Sequence, residues 1–394
     1  MQTISGKLHI PASTTDLERA TPERISEQRQ LKGLLRAFSA LRHRNFRLFW
    51  CGQLISLIGT WMQTTGLAWL VLQLYHSAWL LGIVGALQFL PVLVLSLFGG
   101  VLADRLPKRR VLLFTQSSAI LQAIILWILV ATGTVQIWHV FVLAFMLGLT
   151  NSVDMPTRQA FVMEMVGKDD LPNAVALNSS LFNMARIVGP GIAGITIAVL
   201  GVTPLFLLNA LSFIPVIIGL AFIDLRQLYT GSTRTASQQA KSASQSTLQS
   251  LREGLTYVVR TPVVLLIIAV VGAVSLFGIN FNVVLPLFAT DVLHAGPVGF
   301  GFISSAFGFG SLISALWLAW SNRKRSLQFL LASALAFCVF EAAFALSPWY
   351  LPSLALIAIV GFAQISFSAT SNTILQTVSP DYLRGRVMSV YMMV

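Results

Sequence analysis

The chain has 394 residues, of which 56% are hydrophobic and only 10% are charged. A soluble globular domain carries about 25% charged residues, so a soluble enzyme and a disordered chain are both excluded. Two cysteines exclude a disulfide scaffold or a cysteine-rich metal site, and the meaning of the formal net charge of +12 depends on where the charges sit.

Residues 1–45 form an N-terminal segment without the apolar core of a secretory signal. Inside it, residues 31–44 place Leu31, Leu34, Leu35, Phe38 and Leu41 on one helical face among basic residues. That pattern predicts an interfacial helix. Residues 48–103 then run for 56 positions without Asp, Glu, Lys or Arg. One membrane span needs roughly 20 apolar residues, so this run holds spans one and two, at 46–73 and 79–103, with Tyr75-His76-Ser77 as the turn. Further charge-free runs cover 111–153, 187–223, 261–290, 292–322 and 342–380. Broken at their turn residues, they predict spans three to ten at 111–132, 137–153, 173–199, 203–223, 262–290, 298–320, 327–346 and 352–373. An eleventh span begins near Val387, and the chain stops at Val394. Backbone groups must be paired in lipid, which leaves helices or a closed barrel. Runs this long fit helices, whereas barrel strands are about 10 residues with strict alternation.

The basic residues alternate along the chain. Nine of them precede span one, counting Arg47, and four follow span two: Arg105, Lys108, Arg109 and Arg110. Arg158 and Lys168 follow span four, five more follow span six, Arg323, Lys324 and Arg325 follow span eight, and Arg384 and Arg386 follow span ten. These are 25 of the 26 Lys and Arg residues, and the turns near 75, 134, 201, 294 and 348 have none. Basic loops stay on the cytoplasmic side, so the N-terminus is expected there, in a multi-pass plasma (inner) membrane protein. The basic excess is a topology signal rather than a nucleic-acid surface.

From Asp224 to Ser250 the chain turns polar and reads as a flexible linker. Leu251, Leu255, Val258 and Val259 then recur at helical spacing, a surface helix leading into span seven. Two spacings repeat across this linker. Leu74 to Gly82 matches Leu293 to Gly301, and Val166, Asp169, Leu171 and Val175 match Val378, Asp381, Leu383 and Val387. The organisation expected is a segment 1–45, a six-helix bundle 46–223, a linker with surface helix 224–261, and a second, incomplete bundle 262–394. Parallel six-span repeats place a substrate site near the bilayer midplane, between the halves.

The motifs sit at the expected hinges. Gly100-x-x-x-Asp104-Arg105-x-Pro107-Lys108-Arg109-Arg110 follows span two. It resembles the loop motif of the major facilitator superfamily, with Pro107 where the pattern has Gly. That resemblance implies a gate in which Asp104 faces the start of span eleven, here Arg384-Gly385-Arg386-Val387, in the outward-open state. The plainer alternative is a charged loop that sets orientation. Ala185-x-x-x-Gly189-Pro190-x-x-Ala193-Gly194 in span five resembles the superfamily's antiporter motif, which accompanies exporters. Close packing of small residues is its alternative reading. Asn151-x-x-Asp154-x-Pro156-x-Arg158, Leu171-Pro172-Asn173-Ala174, Arg186-Ile187-x-Gly189-Pro190 and Leu383-Arg384-Gly385-Arg386 resemble the branch that includes the enterobactin exporter and related multidrug and secretion transporters. Members of the family have twelve spans, so this chain reads as a partial sequence. Asp154 and Arg158 read as part of the cytoplasmic gate.

Ionisable residues at membrane depth are functional candidates by default. Arg186 lies well inside span five with no acid of the first half at its depth. The sequence leaves open whether it meets carbonyls, amides such as Gln63 or Gln88, water, or an anionic group of a substrate. Glu341 in span nine either snorkels to the outer surface or carries a proton. Gln53, Gln63, Gln88, Asn178, Asn183, Asn280, Asn282 and Gln364 lie on spans expected to line the cavity and either orient a ligand or tie helices together. Trp61, Trp69, Phe89, Phe281 and Phe307 offer aromatic surface. No phosphate-binding loop of the ATPase type is present, and the five histidines are scattered. No cofactor, metal or enzymatic activity is expected.

The fold expected is an all-α membrane protein with the major facilitator arrangement of two six-helix bundles, the second stopping within its eleventh span. The function expected is secondary active export of a small amphipathic molecule, a drug or siderophore-like compound, by alternating access. Protons as the coupling ion follow from the resemblance, and a monomer is expected. An importer, or a non-transporting membrane sensor or scaffold, are the competing readings.

Overall fold

The computed structural model describes residues 38–229, 255–321 and 326–393, with side chains except at 96–105, 381–382, 389 and 393. The linker and the Arg323-Lys324-Arg325 loop lie largely outside the described residues, although 255–260 are helical as expected. The interfacial helix expected over 31–44 is not found in its described part. There, Ser39–Arg42 make a single 3-10 turn with Ser39 and Ala40 buried, and span one begins directly at Arg44.

Nine helical stretches among the described residues are long and apolar enough to cross a membrane. Span one is Arg44–Tyr75, span two Ala78–Arg105 and span three Lys108–Ala131. The helix Ile137–Leu200 is 64 residues long and holds spans four and five. The chain reverses inside it at Gly167, whose φ of +74° is open to glycine at little cost. Ten spans result, as the hydropathy predicts. Span four does not end at residue 153, however, because Asp154 ends only the apolar run. The charged residues after it are compatible with helix, and the helix continues to Val166. Span six consists of Thr203–Ser212 and Ile214–Ala221, jointed at Phe213. Pro215 just beyond the joint removes a backbone donor. Span seven is Pro262–Phe277 and Phe281–Leu287, broken at Gly278-Ile279-Asn280 and ending in a π turn over Phe288–Val292. The sequence expectation of one unbroken helix over 262–290 is corrected here. Spans eight, nine and ten are Pro297–Trp320, Leu327–Ala345 and Tyr350–Val378, and Asp381–Met393 starts the eleventh.

Spans one to six pack on one another, with span one against spans four, five and six and span three against four and six. In the second group span ten packs on eight, nine and seven. Span eight crosses to span five, and the second segment of span seven crosses to spans one and two. At the basic face, Ser39 Oγ donates to Asp170 Oδ1 at 2.6 Å, and His43 Nε2 lies 2.8 Å from Asp170 Oδ2. Asn173 Nδ2 donates to Ser39 Oγ, and the Asn45 carboxamide exchanges two hydrogen bonds with the Asp224 backbone. Asp170 sits in the charged turn between spans four and five, outside the apolar stretches. The Ser39 hydroxyl, and after it the His43 ring, hold its carboxyl below the ordinary carboxylate value.

Candidate functional site

A cavity of about 190 Å³ lies where the two groups of helices meet. Spans one, two, five, seven, eight and ten all line it. The break in span seven turns Ile279, Phe281 and Asn282 toward it. Irregular backbone at membrane depth is tolerated where it faces a cavity.

Among the described residues, Arg186 is the only ionisable one in this lining. It stands roughly 29 Å along the helix from Gly167 and about 21 Å from Leu200 at ~1.5 Å per residue, which is mid-membrane. Its guanidinium carbon is 4.5 Å from the centre of the Phe307 ring on span eight and 5.9 Å from that of Trp61 on span one. Each such contact is worth about 0.5–2 kcal/mol. An arginine at the centre of a membrane helix costs about 2.5–3.5 kcal/mol, so the rings offset part of that cost. Among the described residues no hydrogen bond or ion pair engages the guanidinium. Gln88 and Gln364 line the same cavity, and the Gln364 Oε1 is buried without a hydrogen-bond partner. Thr64, Thr65 and Ser304 add hydroxyls that sequence reasoning did not single out. Their helical neighbours are as polar, and only the packing shows which of them face inward.

Other candidates are engaged elsewhere. Gln63 is buried and does not line the cavity. Its Nε2 donates to Gln122 Oε1 at 3.1 Å, and its Oε1 accepts from Asn209 Nδ2 at 2.7 Å. It ties spans one, three and six together. Asn183 donates back to the Ser179 carbonyl and Asn280 to that of Leu276, and neither lines the cavity. Glu341 is half-buried in span nine. Its Oε2 lies 3.0 Å from the position a Cβ on Gly278 would take, so it packs against the span-seven break, outside the cavity lining. Trp69 stacks on Phe300 of span eight at 6.0 Å, and Phe89 is exposed.

Pro190 and Gly194 form the seam itself, and Gly189 packs on span one within the first group. A Cβ on Gly194 would lie 2.6 Å from the Pro297 carbonyl oxygen, and one on Gly301 2.5 Å from that of Pro190. A Cβ on Gly189 would lie 2.5 Å from Trp61 Cβ. The backbones of spans five and eight therefore touch, and Ser305 Oγ donates to the Ile187 carbonyl at 2.6 Å across the same seam. His76 and Asp291 approach to 3.8 Å at the charge-poor end. The contacts described between the two groups include Ser305 with Ile187 and Arg186 with Phe307 near the level of Arg186, and Trp69 with Phe300 and His76 with Asp291 toward the charge-poor end.

At the basic face, Lys108 Nζ donates to Glu164 Oε1 at 2.8 Å, with both side chains nearly buried. Arg109 donates from Nε and a terminal nitrogen to the Leu220 and Ala221 carbonyls, both at 2.7 Å, closing the end of span six. Asp154 is buried. It accepts from Thr115 at 2.6 Å, from Gln116 at 2.9 Å and from Arg158. These motif residues are joined within the first group. Arg384 Nε donates to the Gln376 carbonyl at 2.8 Å, and Arg386 lies two residues on in the same helix. The surroundings of Gly100, Asp104 and Arg105 lie outside the described residues, and so does the expected contact of Asp104 with span eleven.

A multi-pass membrane chain, helical in its described elements, with two packed groups of spans and a cavity at their seam has the architecture of a major facilitator transporter. The chain belongs to the transmembrane secretion effector family, which it matches over residues 35–394. It is 27% identical over 356 residues to the staphyloferrin A transporter of Staphylococcus aureus (strain NCTC 8325 / PS 47), covering 88% of this chain and 85% of that protein. To the multidrug efflux pump Tap of Mycolicibacterium fortuitum it is 30% identical over 329 residues, 82% and 78% of the two chains. The crystal structure of the nucleoside transporter NupG aligns with a TM-score of 0.67 at 13% identity, over 90% of this chain and 86% of that one, a likeness of fold.

Proposed function

We propose that this transporter is a secondary active exporter, moving a small amphipathic molecule outward by alternating access in exchange for protons. The observation that carries this reading is the cavity at the seam of the two helix groups, with Arg186 in its wall. The basic loops mark the cytoplasmic side, which is open in the inward-facing state of such a cycle. Residues 46–223 and 262–394 are the two rocking bodies, joined by 224–261, and the span-five glycines are the bearing surface between them. Asp104, Arg105 and the span-eleven residues Arg384 and Arg386 form the gate that closes the cytoplasmic side in the opposite state. Asp154 and Arg158 brace it from span four. Glu341, packed at the span-seven break, is the proton-carrying candidate, and a drug or siderophore-like solute is the cargo class. Support for export comes from the efflux functions of the similar proteins and from the antiporter-like motif.

Inside-out vesicles test the direction. Fluorescent amphipathic dyes of both charges are expected to accumulate when the lumen is acidified, and a protonophore is expected to stop them. Uptake indifferent to a collapsed pH gradient rejects antiport, and accumulation only in right-side-out vesicles indicates an importer. No flux of any dye favours the sensor or scaffold reading.

A further inference from the structure

Arg186 is the cavity's most demanding group. A guanidinium in a low-dielectric region needs hydrogen-bond acceptors for its N–H donors or a counter-charge. The described residues give it two aromatic faces, Trp61 and Phe307, and no acceptor. Among the described residues the lining contains no carboxylate, so no described side chain there competes for the cation or repels an incoming anion. The planar fork of arginine matches an oxyanion bidentately, and apolar walls concentrate its field on the cavity. Gln364 adds a second, independent demand. It is 8% exposed, lines the same cavity, and its Oε1 has no partner. A buried carbonyl oxygen of this kind calls for a hydrogen-bond donor. The cavity, at about 190 Å³, falls below the roughly 300–1,000 Å³ of sites that enclose a drug-sized ligand, so it suits a polar head group with part of the adjoining ring or chain.

We infer that the cavity recognises its cargo by an oxyanion, a carboxylate or its equivalent, held on Arg186 between Trp61 and Phe307, with a hydrogen-bond donor beside it facing Gln364. This rests on the cavity being the transport site and narrows the cargo to anionic amphipathic molecules. The two rings belong to opposite sides of the seam. An anion bound there engages a cation that already touches both bodies, which links occupancy to their relative position.

Direct binding tests the inference without relying on flux. The protein in lipid nanodiscs is dialysed at pH 7.5 against naphthalene-2-carboxylate and 4-hydroxynaphthalene-2-carboxylate and against their neutral carboxamides, with empty discs subtracted. The acids are expected to bind about tenfold or more tightly than the amides. Arg186→Gln is expected to abolish the difference and Arg186→Lys to keep part of it. The hydroxylated acid is expected to lose its advantage over the plain acid in Gln364→Leu. Matched elution on size exclusion certifies that each variant is folded. Equal binding of acid and amide, a preference that survives Arg186→Gln, or no acid bound above empty discs overturns the inference, and water or carbonyl groups are then the partners of Arg186. Dye flux in vesicles without acid preference leaves the transporter reading standing and this one refuted. Acid preference dependent on Arg186 without flux does the reverse.

Discussion

Asp170 holds the N-terminal turn against the loop between spans four and five through the Ser39 hydroxyl and the His43 ring. Its folded carboxyl titrates below the ordinary value, chiefly because Ser39 donates to it. A depressed carboxylate contributes stability above its unfolded pKa of about 4 and loses it as pH falls through the lower folded value. Asp170→Asn is therefore expected to lower the thermal midpoint by roughly 1–3 °C near neutrality. The gap from the parent protein should close as the pH falls through the lowered folded value of Asp170. A constant gap across the acid range would show that the loss is one of shape rather than charge. The sequence reveals such residues unevenly. Arg186 is legible because a lone cation in an apolar run has few explanations. Gln63 looks the same as Gln88 on paper, yet its partners Gln122 and Asn209 lie on spans three and six. Only the packing separates the amide that ties helices from the one that lines the cavity.

Lipid makes most helices readable, since an unpaired backbone is not tolerated in it, and the charge-free runs locate ten spans. What the runs conceal is where a helix bends or continues. Residues 154–172 are polar enough to resemble a loop, yet they are helical apart from one left-handed glycine, Gly167. Span seven is uniformly apolar, but Gly278 and Asn280 interrupt it where the cavity relieves the backbone of contact with lipid. The contact of spans five and eight was half legible. The small residues of span five stand out, while their counterpart Gly301 is one of 28 glycines. A methyl group on Gly301 would meet the Pro190 carbonyl oxygen at 2.5 Å, a backbone atom that moves only if the helix moves. Gly301→Ala is expected to cost about 1–3 kcal/mol of stability, despite the gain in helix propensity, and to reduce transport severalfold. Gly82, which a Cβ would leave without a neighbour inside 4 Å, is the control. Gly82→Ala should be neutral or stabilising by up to about 1 kcal/mol. Equal behaviour of the two variants in a thermal melt and a flux assay would remove the seam's claim to close contact.

At the scale of the whole molecule, described cross-seam contacts lie toward the charge-poor end, and alternating access requires them to come apart once per cycle. His76 and Asp291 are suited to testing this. They approach to 3.8 Å from opposite sides of the seam, with side chains 70% and 51% exposed and open to reagent. The native Cys51 and Cys338 are exposed as well and are replaced by serine first. In that background His76→Cys with Asp291→Cys is treated with a short bifunctional thiosulfonate, which bridges the two sites by disulfides that a reductant cleaves. A carrier that must open this face is expected to lose flux in proportion to the bridged fraction and to regain it on reduction, while either single-cysteine variant keeps its flux throughout. Cargo binding should survive bridging, because His76 and Asp291 lie outside the cavity lining. Those two results together assign the arrest to the missing half of the cycle rather than to damage at the site. Flux that continues at the unbridged rate in fully bridged protein would mean that this face never opens, and that a path other than the seam carries the cargo.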